Sequence, residues 1–592
     1  MIRALVVLAL LAHPALADDT RSYEATQAMR AMAELGLEPE LAPAGKVIET
    51  VHLARGEVFS EDEPFPTFPN HLHWLTVDAT VRREVLLAPG DVWDAARALE
   101  TARNLRDLRI FSVVVVVPVR AKDPNKVSLL VVTRDLWSLR LEWNLQFTDT
   151  QIDQLLLQIT ERNLFGRNKR VLGRLLVLPL TWSVGEAYVD RRLVGENLQL
   201  DQAFDVYFRR SDDAFDGFSA RVELAQPFYA LDQAEGFRLT AQVQDRVFRH
   251  YRAGQVLLYD DPDTAEEETI RRVFDTESLQ VGALKRHQFA GPFTQRLAWG
   301  LGASRLSVAP NAETRLPAAN AANFRRDVLP RPLTQIYPVV AWAGFSNDFR
   351  TFNDLASFGQ SEDERLGPDL SLTLSAPLEA LGSTSNAVVA SGSAGYTLAY
   401  GSDGLAEAAV GAAARFEGGE LIDRELLLRA RFATPRASLG RIVARTDWLL
   451  NRELTSNTPI TLGGQNGLRG YPSEYFFVFG GDRLRANAEY RTPPFVWHYL
   501  HVGLAGFYDA GDVYNDDDPF TWHHAVGVGL RTLFPQFNRE VFRLDLGFPL
   551  DDAGFTLMGT FTISGGTGQA VPLTSGEDLQ YENLVGNLDN QP

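Results

Sequence analysis

Arg469 and Asp509 are the residues whose types and settings could do the most specific chemistry in this sequence. Arg469 lies in Gly463-Gly464-Gln465-Asn466-Gly467-Leu468-Arg469-Gly470-Tyr471, where Gly467 and Gly470 permit a tight backbone. Asp509 lies in Phe507-Tyr508-Asp509-Ala510-Gly511, at the end of a period-two run. Leu500, Val502, Leu504 and Tyr508 share one face of that run, which puts Asp509 on the other with Gly503 and Ala505. Small residues there leave space for an inserted loop. A guanidinium can hold a carboxylate through two parallel N–H···O bonds, a stronger and more directional pair than lysine offers. Tyr471 could stack on the same wall. Spacing alone leaves a second reading open, a solvated loop arginine and an unrelated strand aspartate.

Other residues point to less. His71 and His73 stand two apart with no third ligand at metal-site spacing, so they read as surface or packing histidines. Asp516, Asp517 and Asp518 could bind calcium or the cations that bridge lipopolysaccharide, but such a run reads first as a solvated loop. The chain has no cysteine, which excludes thiolate catalysis, cysteine-ligated zinc and iron–sulfur clusters. Serine and histidine occur without a G-x-S-x-G frame. The expectation is a protein without catalytic residues, metal or cofactor, not an enzyme. Its net charge of -19, from 57 Lys+Arg against 76 Asp+Glu, argues against nucleic acid as a partner.

The elements that must position these residues begin after an export signal. Arg3, the apolar run Ala4 to Ala12 and the small-x-small site Ala15-Leu16-Ala17 read as a signal peptide over 1–17. The run falls well short of the roughly 20 residues needed to span a bilayer. Residues 18–45 read as a short helix or linker. Residues 46–133 read as a small α+β unit of order β-α-α-β-β. Thr76 or Asp78 is placed to cap its first helix, and Asp91 its second, with Ala95, Leu99 and Ala102 on one face. Ile110 to Val117 and Val127 to Thr133 are rich in β-branched residues.

From about 138 to 563 the texture is period two. Leu484, Ala486, Ala488 and Tyr490 oppose Arg485, Asn487, Glu489 and Arg491. Phe542, Leu544, Leu546 and Phe548 oppose Arg543 and Asp545. Several charges per polar face suit a wet lumen better than a sandwich surface, and short connections alternate with long polar ones such as Asn311 to Pro332. Aromatics such as Trp137, Trp143, Phe228, Tyr229 and Trp497 stand near strand ends, as an interfacial girdle requires. This predicts a mainly β chain: a transmembrane antiparallel β-barrel behind one small α+β domain. Candidate strands number roughly 16 to 20. The stretch 564–592 is acidic and aperiodic and reads as a disordered tail.

With these residues in place, the chain resembles the BamA/TamA-like outer-membrane assembly and translocation superfamily, the bacterial surface antigen group, which also includes two-partner-secretion transporters. Leu468-Arg469-Gly470-Tyr471 is similar to the family's lumen-loop motif, and Phe507, Asp509 and Gly511 to its F-x-D-x-G strand motif. Glu161-Arg162-Asn163-Leu164-Phe165-Gly166 resembles the Asn-x-x-Gly turn near the barrel's start, and the β-α-α-β-β unit resembles a POTRA domain, with Leu87-Ala88-Pro89-Gly90-Asp91 between its helices. Five candidate strands follow the loop (483–491, 499–508, 523–533, 541–549 and 554–563), and the aspartate motif falls on the second, as in the family. The resemblance implies a sixteen-stranded barrel in the outer membrane of a Gram-negative bacterium, with the N-terminal domain in the periplasm. This chain departs from the family in showing one POTRA-like unit and in continuing past Ile563 to Pro592.

The first function the resemblance implies is protein handling. The POTRA-like unit would receive unfolded or extended client proteins on its edge strand by β-augmentation, and the barrel would insert or translocate them past a gating loop. Outer-membrane lipid, lipopolysaccharide and accessory periplasmic subunits are the other implied partners. A polypeptide-secretion or solute pore, and a structural or adhesive surface barrel, are the alternatives.

Overall fold

A computed structural model describes residues 23–571, apart from 62–65, 149–150, 231–232, 253, 265–268, 359, 465–466, 473, 498–499, 552–553, 556–559 and 566–568. The expected signal peptide over 1–17, Gln465-Asn466, and the tail beyond residue 571 lie outside the described residues.

The N-terminal unit has the β-α-α-β-β order. Its sheet runs Val47–Gly56, Lys126–Asp135, Phe111–Arg120, the central strand parallel to the first and antiparallel to the last. Helices Asp78–Glu84 and Ala95–Asp107 cover one face, where Val81, Ala98, Ala102 and Leu105 pack on Val114, Leu129 and Val131. The caps differ from the expectation. The first helix follows Val77 with no side-chain cap, because the Thr76 hydroxyl donates instead to Asp135 Oδ2 at 2.8 Å. Asp94, not Asp91, caps the second, accepting from the backbone N–H groups of Ala96 and Arg97. The Asp91 carboxylate is held in the Pro89-Gly90 turn by the Ala88 N–H. This shift turns Leu99 outward and buries Ala98, Ala102 and Leu105.

The segment read as helix or linker is a helix, Tyr23–Leu35, on the opposite face of the sheet. Ala28, Ala31 and Met32 pack there on Val113, Val115, Val117 and Leu130. The chain then runs antiparallel past the end of the outer strand: Pro39 bridges Val119, Glu40 N–H donates to Pro118 O, and Arg120 N–H donates to Glu38 O.

The barrel is one closed antiparallel ring, with short hairpins and a helix, Ala321–Asp327, in its longer connections. It contains 23 segments, of which Asp348–Asn353, Phe495–Trp497 and Gly554–Phe555 extend neighbouring hairpins; 23 − 3 leaves 20 strands in the ring among the described residues. The sixteen implied by resemblance are therefore too few, while the range of roughly 16 to 20 read from the period-two segments includes the observed number. Five strands follow the motif loop as expected, though the last, read as 554–563, is Thr560–Gly565 with Gly554–Phe555 paired separately, so the surplus over sixteen lies before the loop. Period two marks the strands but not their boundaries, so it gives a range rather than a number; closure also depends on tilt and stagger between strands. Along each strand apolar side chains such as Leu301, Leu372, Leu504 and Val528 stand exposed on the outside, and polar ones such as Arg429, Glu489, Asp509 and Arg531 are buried inside. An outer band this apolar and continuous fits lipid rather than water.

The N-terminal unit sits against one rim of the barrel. Asn163 Nδ2 donates to Thr76 Oγ1 at 2.9 Å, Val77 N–H to Gly166 O at 3.0 Å, and Arg106 pairs with Asp363 at 2.7 Å. Below that rim, the turn at 354–358 and the stretch 569–571 pack together. Val571 is buried with Leu355, Leu405 and Val443, and Gln569 Nε2 donates to Ala356 O. The first residues assigned to the tail are thus part of the folded structure, because Val571 finds an apolar seat among them.

Candidate functional site in the barrel lumen

The loop between strands Arg441–Arg452 and Asp482–Arg491 doubles back as a small hairpin, Pro459–Leu462 against Phe476–Phe479. Its tip carries the motif into the lumen. Leu468 and Tyr471 are buried with Leu462, Val478, Val513 and Ala525, an apolar seat inside an otherwise polar wall. The Tyr471 hydroxyl donates to His524 O at 3.2 Å, and its ring lies against Phe476. Gly467 (φ +111°) and Gly470 (φ +108°) take backbone conformations that disfavour any side chain. Gly470 also rests on the wall itself, where an added Cβ would come within 3.0 Å of Ala525 and of the Phe548 backbone.

Arg469 is held from four directions. Its Nε and Nη2 donate to the two carboxylate oxygens of Asp509 at 2.7 and 2.9 Å, and its own backbone N–H donates to Asp509 Oδ2 at 3.1 Å. Nη1 donates to Glu489 Oε1 at 2.5 Å and lies 3.7 Å from Asp545 Oδ2. The guanidinium carbon stands 3.7 Å from the centre of the Phe507 ring. Asn487 Nδ2 ties loop to wall, donating to Gly467 O at 2.7 Å and to Asp509 Oδ1 at 2.8 Å.

The structure thus brings together every residue singled out in the two motifs except Gly511. That glycine lies one step along the same strand, where its Cα hydrogens leave room for Leu462 and the Leu484 carbonyl. Glu489, Asn487, Arg531 and Asp545 were not singled out. Glu489, fully buried, also accepts from Arg491 at 2.8 Å, and Arg531 donates to Asp545 at 2.6 Å. Alternation had placed Glu489 and Asp545 on lumen faces, but sequence alone does not say which faces the loop reaches. A second cluster lies beside the first, where Asp447 meets Arg429, Arg445 and Arg485 at 2.5, 2.7 and 2.7 Å.

Such an arrangement can hold a loop against the lumen wall. Its carboxylates are taken up by arginines. Breaking one partner of a buried pair costs about 3–5 kcal/mol, since it strands the other charge.

The weaker candidates have structural places. His73 is buried, with Nε2 3.0 Å from Asp135 Oδ2 and Nδ1 3.2 Å from Ser138 Oγ, where the N-terminal unit joins the first barrel strand. His71 is exposed. Asp516, Asp517 and Asp518 lie in an exposed turn, and the N–H groups of Asp517 and Asp518 donate to Asn515 Oδ1.

The clamp lies within residues 430–568, which match the family model of the Omp85 superfamily domain. This part of the chain is Omp85-like. The resemblance drawn from the motifs is borne out at the level of that superfamily. Among curated protein sequences, none matches the chain. Solved structures similar to it include BamA from Haemophilus ducreyi lacking POTRA domains 1–3, at 11% identity over 87% of this chain and 84% of that one, with a TM-score of 0.35. CdiB from Acinetobacter baumannii matches at 9% identity over 88% and 73%, with a TM-score of 0.41. CdiB from Escherichia coli matches at 12% over 88% and 77%, with a TM-score of 0.40. Within the Omp85-like segment, strand Thr560–Gly565 closes the ring against Leu139–Thr148. Among the described residues the pairing runs from Phe561↔Phe147 to Gly565↔Trp143.

Proposed function

We propose that the chain is an outer-membrane barrel of a Gram-negative bacterium that inserts or translocates other proteins, with its N-terminal unit in the periplasm. The observation that carries this reading is the Arg469 clamp, a loop pinned in the lumen of a closed ring by Asp509 and Glu489. Clamp and last strand both fall in the Omp85-like segment, which supports the protein-handling class.

In this reading Leu468, Arg469, Gly470 and Tyr471 form the gating loop, and Phe507, Asp509 and Gly511 anchor it. Clients reach the barrel as extended chains. Of the two outer strands of the N-terminal sheet, Phe111–Arg120 is buried almost throughout and capped at its end by residues 38–40. Val47–Gly56 is half-exposed, and its first residues pair with the turn at 90–93. The stretch from Glu49 onward is therefore the edge we assign to client strands, which would add to it by main-chain hydrogen bonds with little demand on sequence.

The test uses the natural absence of cysteine. A single cysteine at Thr50 or His52, carrying a photo-crosslinker, should trap unfolded outer-membrane or secreted proteins in cells. If it captures none while the chain remains functional, client delivery along this edge is wrong. Single-channel recordings test the pore alternative. Steady conductance by the unaltered protein, without a client, would favour a solute pore.

A further inference from the structure

A cavity of about 400 Å3 lies where the N-terminal unit meets the rim of the barrel. Seven arginines and six carboxylates line it, but the charges are not evenly matched in space. Asp363 is taken by Arg106 at 2.7 Å and by the Thr351 hydroxyl at 2.6 Å. Glu362 accepts from the backbone N–H groups of Leu355, Ala356 and Ser357. Glu540 stands 3.6 Å from Arg109.

Arg103, Arg140 and Arg539 are not matched in this way. Arg103 belongs to helix Ala95–Asp107, Arg140 to the first barrel strand, and Arg539 to the turn before Phe542. Among the described residues no carboxylate lies within ion-pair distance of any of them. Arg103 has only the Phe349 ring, at 4.5 Å. Arg140 donates to neutral oxygens, Asn538 Oδ1 at 3.0 Å and Arg109 O at 3.1 Å. It is 6% exposed, and its buried Nε has no partner. Arg539 likewise donates only to the carbonyls of Ser361 and Phe111. Burial pulls both Arg103 and Arg539 below the usual arginine range. One buried and two half-buried like charges gathered in one cavity are costly unless an anion joins them.

We propose that this cavity binds a phosphate group, either the free ion or the headgroup of an anionic phospholipid, and that the bound phosphate fastens the N-terminal unit to the barrel. A carboxylate brings one negative charge to three guanidinium groups. A phosphate group offers more acceptor oxygens and, as the free ion, more than one charge, which guanidinium forks match two at a time. Because Arg103 comes from one unit and Arg140 and Arg539 from the other, occupancy couples ligand binding to docking.

The test takes the full-length protein in detergent micelles. In one arm, inorganic phosphate is titrated by calorimetry at fixed ionic strength. In the other, short-chain phosphatidylglycerol is added and retention is read by native mass spectrometry, with phosphatidylcholine as control. Binding in the first arm identifies the free ion as ligand, and retention in the second alone identifies the headgroup. Either supports the site if Arg103→Gln, Arg140→Gln and Arg539→Gln each weaken it by about tenfold or more, as loss of a charge-assisted contact should. Arg325→Gln, on an outer loop, should leave it unchanged. Arg103→Gln lies outside the barrel, so it reports even if the Arg140 variant fails to insert. No binding in either arm, or binding undiminished in the three variants, overturns the proposal.

Discussion

The Phe507 ring occupies the space that a side chain at Gly527 would fill, and the two residues face each other across adjoining strands. That vacancy lets the ring lie flat on the lumen wall beneath the Arg469 guanidinium. The clamp therefore depends on a glycine that touches no charge. Gly527→Ala should push the ring off the wall and destabilise the barrel by about 1–3 kcal/mol, the usual cost of overpacking. Phe507→Leu should cost about 1–2 kcal/mol through loss of the cation–π contact. Both are read from thermal unfolding, together with maleimide labelling of a single cysteine at Leu468. Labelling no faster than in the parent would show that Phe507 does not hold the loop.

Arg469→Ala and Asp509→Ala should each abolish function while leaving a barrel that still shows heat-modifiable gel mobility. Each should cost about 3–5 kcal/mol, because the partner charge stays buried. In a double-mutant cycle the pair should cost clearly less than the sum of the singles. Full additivity would sink the pairing.

A disulfide between Gln146→Cys and Thr562→Cys, register partners across the seam, should form in the membrane and block function until reduced. A pair at Ala486 and Ala510, also register partners, should form without harm. Undiminished activity with the seam locked would remove lateral opening from the mechanism and favour a fixed pore or a structural barrel.

Deleting residues 46–133 should abolish activity without blocking insertion, since the ring closes through its own strands. Membrane fractionation and complementation of a deletion strain measure the two outcomes. Full complementation by the truncated chain would rule out client delivery by the N-terminal unit.

The sequence by itself determined the barrel, its inward and outward faces, the β-α-α-β-β unit and the facing of Asp509 toward the lumen. All of these rest on local periodicity: alternate residues of a strand must point to opposite sides, so polar Glu489 and Asp545 could be placed inside from their neighbours alone. The five strands after the loop were legible for the same reason. The strand total was legible only as a range, because ring size depends on the tilt and stagger of strands far apart in sequence. Nor could the sequence show that Glu489, Asp545 and Phe507 share Arg469, since inter-strand register and the path of the loop bring them together. The docking of Arg103 beside Arg140 and Arg539 is of the same kind. These charges meet only when separate folded units come into contact, a matter decided by tertiary packing rather than by any local pattern.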